Sequence, residues 1–190
     1  VCGRMNVIAA PIAQYLREQL QLNFSTHDNT DLRPTQRVDT LMVSSSGWRQ
    51  IPTHWGIQPQ WAKRLIINAK VETAAEKKTF RQAFQQSRCL VPVSGWYEWR
   101  AEQHGKTKYY FSAADGQPLF MAGMVFRSDD GPRLVTSTTA PTVRCAQYHD
   151  RMPLLIEHDA LDYWMHADIE QLPALFHAFP DTALRINASA

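Results

Sequence analysis

Long apolar runs, paired cysteines, an excess of charge and internal repeats are all missing from this chain. Apolar stretches such as Leu65-Ile66-Ile67 and Leu154-Leu155-Ile156 fall far short of the roughly 20 residues that a membrane-crossing helix needs. The opening residues hold no charged segment followed by an apolar one, so export through a signal peptide is not expected. Three cysteines, Cys2, Cys89 and Cys145, are odd in number and widely spaced, which excludes a disulfide framework and points to a reducing cytoplasm. Neither CxxC nor HExxH occurs, and Cys145 with His149 makes at most two ligands, so no metal and no other cofactor is expected. Twenty Lys and Arg against eighteen Asp and Glu leave a formal charge of +2. That is too weak to mark the whole surface as a nucleic-acid binder, and any such role must rest on a local groove.

What is present is the material of one core: 44% hydrophobic residues over 190 positions, read as a single domain over residues 1–190. Ile12, Tyr15, Leu16 and Leu20 recur at helical spacing and predict a helix over 6–21, broken or started late at Pro11. Val38 to Val43 reads as a strand. Thr73-Ala-Ala-Glu76 has the form of a capping box, with Phe80 and Phe84 on one face, and predicts a helix over 74–87. The β-prone runs 89–93, 108–113, 119–126 and 133–138 follow, with Asp115-Gly116 and Asp130-Gly131 as hairpin turns. Helix returns at 159–167 and in a segment opening at Asp168, with Gln171 three residues on and Pro173 inside. Strands in the middle and helices at both ends predict an α+β fold, a mixed, curled or barrel-like β core flanked by helices.

Four reactive side chains sit in unexpected settings: Cys2, Asn68 after three apolar residues, Glu98 among Trp96, Tyr97 and Trp99, and His149 ahead of Asp150 and Arg151. Burial among aromatics would raise the pKa of Glu98 toward the range useful for acid catalysis. Each also has an ordinary explanation: a helix cap for Asn68, an exposed strand face for Glu98, a loop histidine for His149 and an accident of position for Cys2.

Taken together, the chain resembles the SOS response-associated peptidase family. The resemblance rests on Cys2-Gly3-Arg4, Pro34-Thr35-Gln36, His54-Trp55-Gly56 through Pro59 and Trp61, Asn68-Ala69-Lys70-Val71-Glu72-Thr73, Arg88-Cys89-Leu90-Val91-Pro92, Gly95-Trp96-Tyr97-Glu98-Trp99 and His149-Asp150-Arg151-Met152-Pro153, all in the family's order. It implies a DNA-damage-response protein that traps abasic sites in single-stranded DNA as a covalent crosslink, with replication-fork proteins as candidate partners and the nucleoid as its place of work. It also implies Cys2 as nucleophile with Asn68, Glu98 and His149 as the other active-site residues. Arg4, Lys70 and Arg151 are then candidates for phosphate contacts, and Pro34 and Trp61 for stacking on or wedging between bases.

The chemistry is coherent. An aldehyde is attacked by a neutral amine; at pH 7 about a tenth of an α-amino group is neutral, against about four parts in ten thousand of a lysine. A terminal cysteine then adds its thiol to the imine and closes a five-membered thiazolidine. Two departures bear on this. Val1 precedes Cys2 and makes its nitrogen an amide; either Val1 reflects a non-ATG start or an expression remnant, or it must leave, and attack of the Cys2 thiol on the Val1 carbonyl is a route. Lys70 stands where the family commonly has Arg, which loses bidentate phosphate geometry. The chain end is also short, and the expected consequence is an absent or rearranged closing edge of the barrel. Two rivals remain at this level, a thiol peptidase or amidohydrolase acting on external substrates and a non-catalytic single-strand-binding module.

Overall fold

The computed structural model describes residues 2–177 and 179–190. In chain order its elements are β1 (Met5–Val7), α1 (Ala9–Leu20), β2 (Asn29–Leu32), β3 (Arg37–Ser44), β4 (Gly47–Trp55), β5 (Asn68–Lys70), α2 (Val71–Ala74), α3 (Arg81–Gln86), β6 (Arg88–Val93), β7 (Gly95–Glu102), β8 (Gly105–Ala113), β9 (Leu119–Phe126), β10 (Arg133–Thr139), β11 (Met152–Pro153), α4 (Leu161–His166) and β12 (Leu184–Ala188).

Strand β10 closes the core. One edge pairs antiparallel with β9 and then β11, while the other runs parallel to β4 at Arg133-Leu134 and to β5 at Thr136–Thr138. Pairings β4–β3, β3–β6 and β6–β9 complete a ring, which leaves its members without free edges. β6 and β9 read as almost continuous apolar runs because they are buried nearly throughout. A second, antiparallel sheet runs β12-β8-β7-β1-β2. The chain crosses between the two at Ser94, whose N–H donates to the Asn6 carbonyl at 2.8 Å and whose Oγ accepts from the Ile8 N–H at 2.9 Å. Gly95 follows because a Cβ there would lie 2.1 Å from the Phe111 carbonyl oxygen. This is the expected α+β architecture with a barrel-like mixed core.

Several local expectations are corrected. Residues 6 and 7 belong to β1, and Pro11 lies in the first turn of α1, where its missing N–H has no intrahelical acceptor to lose. The helix over 74–87 is two short pieces, α2 and α3. Thr73 sits inside α2 rather than capping a helix, and its carbonyl accepts from the Glu76 and Lys77 N–H groups in a turn. Asp115-Gly116 does not form a hairpin: β8 pairs with β7 and β12, so this turn carries the chain to the ring. The stretch opening at Asp168 does carry a capping box with Gln171, but it winds as a 3-10 helix through Pro173. Toward the end of the chain β12 pairs with β8 over Leu184–Ala188, in the second sheet rather than in the ring.

Arg88 fastens the helices to the ring. It is buried, and its guanidinium donates to the carbonyls of Phe84 at 2.8 Å, Trp164 at 2.8 Å and Ala167 at 2.6 Å, satisfying the ends of α3 and α4. Arg88→Ala strands these carbonyls, and chemical denaturation should register a loss of about 3 kcal/mol; an unchanged midpoint would refute this role.

Candidate active site

Cys2 lies three residues before the start of β1 and is 1% exposed. The Tyr97 N–H donates to the Arg4 carbonyl at 3.0 Å, extending the β1–β7 pairing toward the chain start. Asn68, the first residue of β5, reaches across from the ring: its Nδ2 donates to the Cys2 carbonyl at 3.2 Å. Its Oδ1 in turn accepts from the Thr136 hydroxyl at 2.7 Å, and Thr136 is Asn68's register partner on β10. The carboxamide is therefore oriented from behind by a fully buried hydroxyl. No motif in the sequence marks Thr136; only the pairing of β5 with β10 brings it to the site.

Glu98 is 4% exposed on β7, and its pKa is pushed up to about 7 by burial, with the charge of Asp150 acting in the same direction. Burial also pushes the Cys2 thiol far above its ordinary value, and Glu98 adds to the rise. Both shifts disfavour the charged forms, so burial holds the thiol neutral and moves the Glu98 carboxyl toward titration in the neutral range. His149 sits in the loop after the turn at Cys145–Gln147, and burial lowers its pKa while Asp150 opposes the shift. Its Nδ1 lies 3.1 Å from the Arg151 backbone N–H and 2.9 Å from Asp150 Oδ1. The two contacts demand opposite states. The N–H needs a lone pair on Nδ1, whereas Asp150 needs a proton there, so each protonation state of the ring has a ready partner.

The candidate DNA contacts are less uniform. Trp61 is 68% exposed and contributes nothing to the core. Pro34 is half-buried beside Thr35, which holds φ 75° although β-branched, with its N–H bonded to the Trp55 carbonyl at 2.8 Å. Such strain is costly and is retained where the surroundings enforce it. Thr35 and His54 border a groove of about 780 Å³ that continues along Gly56, Gln58, Pro59 and Arg133. Gly56 is required there, at φ 112° and with a Cβ only 2.7 Å from the Leu65 side chain. Lys70 is exposed. Arg4 is paired with Asp31 at 2.6 Å and lies 4.9 Å over the Trp99 ring, and Arg151 spends both terminal nitrogens on Glu72 at 2.7 and 3.1 Å. A phosphate at either arginine has to share it with a carboxylate. Trp99, half-covered by Arg4 and by Lys108 at 5.8 Å, forms an aromatic and cationic patch that sequence reasoning did not single out; its signal was the alternation of Tyr97 and Trp99 on one strand face.

Among the described residues no cluster of three or more His, Cys, Asp or Glu side chains is placed to hold a metal, and no helix is long and apolar enough to cross a membrane.

The chain is similar to known proteins. The chain is 36% identical over 123 residues to the abasic site processing protein YedK of Escherichia coli, a match covering 62% of this chain and 55% of YedK. It is 27% identical over 180 residues to the abasic site processing protein YoqW of Bacillus subtilis, covering 87% of this chain and 80% of that one. A crystal structure of a Bordetella bronchiseptica protein superposes over 100% of both chains with a TM-score of 0.86 at 21% identity, which shows a shared fold. The match to the SOS response associated peptidase (SRAP) family runs over residues 1–188, and the chain belongs to that family.

Proposed function

We propose that this protein captures abasic sites in single-stranded DNA by forming a covalent crosslink at Cys2, working in the cytoplasm on nucleoid DNA. The observation that carries the reading is the convergence of Asn68 and the buried Glu98 on the buried Cys2, from two different sheets. The names of the relatives, abasic site processing proteins, agree with it. In this reading the Cys2 amine attacks the ring-opened aldehyde and water leaves to give an imine. The thiol then adds to the imine carbon, its proton passes to nitrogen, and a thiazolidine closes. Asn68 holds the Cys2 backbone at the required angle, Glu98 protonates the departing hydroxyl and receives protons in return, and His149 carries protons during sugar opening. Val1, whose removal this requires, lies outside the described residues. Its release follows if the Cys2 thiol adds to the Val1 carbonyl, the peptide nitrogen leaves with a proton, and water hydrolyses the thioester.

A conventional thiol peptidase needs a thiolate stabilised by lowered pKa. Here burial and Glu98 push the Cys2 thiol the other way, which disfavours a standing thiolate for external substrates and leaves attack on the aldehyde to the amine.

Incubation with single-stranded DNA bearing one abasic site, followed by denaturation, should give a DNA-dependent mass shift. Cys2→Ala should abolish it, and Asn68→Ala and His149→Ala should each slow it by about 10² to 10³. Normal rates for both slow variants would remove the site assignment.

The pH dependence follows from opposing requirements. The neutral amine grows with pH through about 7.7–8.0, while the acid form of Glu98 is lost above about 7. Crosslinking rate against pH should be a bell, and Glu98→Gln should erase its alkaline fall. Stability carries the same signature. Because folding raises the Glu98 value, its contribution is intact below about 4.5 and is lost as pH rises through about 7, on the order of 3 kcal/mol in all. The Glu98→Gln variant should therefore gain on the wild type between pH 5 and pH 8; parallel denaturation curves at both pH values would contradict the shift.

For the DNA path, affinity should be higher for single-stranded than for duplex DNA and should fall steeply with salt. Titrations at two salt concentrations give the answer, and equal affinity for both forms counts against a single-strand channel.

A further inference from the structure

We propose that Arg100 is a positioning residue for His149, acting by clamping Tyr148, and this rests on the reading of His149 as a proton carrier in the abasic-site reaction. Arg100 stands two residues after Glu98 on β7 and so shares its face of the strand. Its guanidinium carbon lies 4.7 Å from the centre of the Tyr109 ring and 4.6 Å from that of Tyr148. The two rings meet edge to face at 4.7 Å, and Tyr148 also stands edge-on to Phe111 at 5.4 Å. Tyr148 is the residue immediately before His149.

The clamp is itself held rigid by the β7–β8 hairpin. Glu102 accepts from Arg100 at 2.9 and 2.7 Å and from Thr107 at 2.9 Å, the Tyr109 hydroxyl donates to the same carboxylate, and Arg100 Nη2 donates to the Tyr109 oxygen at 2.8 Å. These bonds, that from Tyr109 foremost, hold the Glu102 pKa at about 2, so the anion persists at any working pH. On the other side of His149, Arg151 is bound bidentately by Glu72 and donates to the Thr138 carbonyl at 2.9 Å. The loop is thus fastened at 148 and at 151, with His149 and Asp150 between the two anchors.

A single exposed ion pair would carry little. The difference here is geometric. One strand bears Glu98 and also grips the residue beside His149, so the spacing between the two proton-handling groups is set by one hairpin. A displacement of about 1 Å at a reacting group can cost a hundredfold in rate, and a guanidinium held within 5 Å of the centres of both rings resists such a displacement.

The test uses Arg100→Met, which keeps the apolar stem, Tyr148→Ala, Arg100→Lys as the conservative rescue, and the pairs of Arg100→Met with Tyr148→Ala and with His149→Ala. Single-turnover crosslinking at saturating abasic single-stranded DNA should fall about tenfold in Arg100→Met and in Tyr148→Ala, recover in part in Arg100→Lys, and fall no further when the first two are combined. In the His149→Ala background Arg100→Met should change nothing. DNA affinity should stay within about twofold with its salt dependence intact. NMR titration of the His149 ring should find its pKa moved up toward about 6.5 in both single variants as the loop is released. Weaker DNA binding with a shallower salt slope, a rate loss that adds to that of His149→Ala, or an unmoved His149 titration would each overturn the proposal. Should the wild type make no crosslink at all, the functional reading fails, and the ring titration alone still decides the clamp.

Discussion

Asn68 gives one side of its carboxamide to the Cys2 carbonyl and the other to the Thr136 hydroxyl, and the site depends on that bridge. Residues near a chain start fray unless something holds them. Here β1 is held between β7 and β2 in one sheet, and the bridge ties Cys2, three residues ahead of it, to the other. The bridge exists because β5 lies in line with β4 along the same edge of β10, which sets Asn68 opposite Thr136. A slip of one residue in that register would turn Asn68 to the opposite face.

Burial then sets the proton inventory. Desolvation raises Glu98, raises the Cys2 thiol and lowers His149, so all three groups move toward their uncharged forms. Groups in that state can pass protons close to neutral pH, and none of them is a standing thiolate. Around this interior the cations are largely spoken for: Arg88 by helix carbonyls, Arg4 by Asp31, Arg100 by Glu102 and Arg151 by Glu72. A net charge of +2 therefore understates how specifically the positive charge is deployed.

How far the fold could be read in advance follows from the range of the forces involved. The runs at 89–93 and 119–126 were legible because both are buried strands of branched and aromatic residues, and the box at Asp168 and Gln171 because capping is local. The helix over 74–87 was misread. The Thr73 to Glu76 pattern is the right local signal, yet tertiary packing of Val71 and Ala74 starts the first turn earlier and leaves Phe80 at the head of a separate α3. β4, with Pro52 inside it, gave little alternation to read and owes its place to eight paired positions with β3.

The sequence by itself determined the chemistry on offer: a cysteine at the second position, an amide, a carboxyl among aromatics and a histidine, each in a recognisable motif, because side-chain identity is a local property. It could not specify that Cys2 is buried, that Thr136 stands behind Asn68, or that Arg100 lies against the residue beside His149. Those contacts join positions 66, 68 and 48 residues apart, and only strand register and the closing of the ring bring such positions within hydrogen-bonding or stacking distance. Proton affinities follow the same rule, since desolvation is a property of the assembled interior rather than of any residue in it.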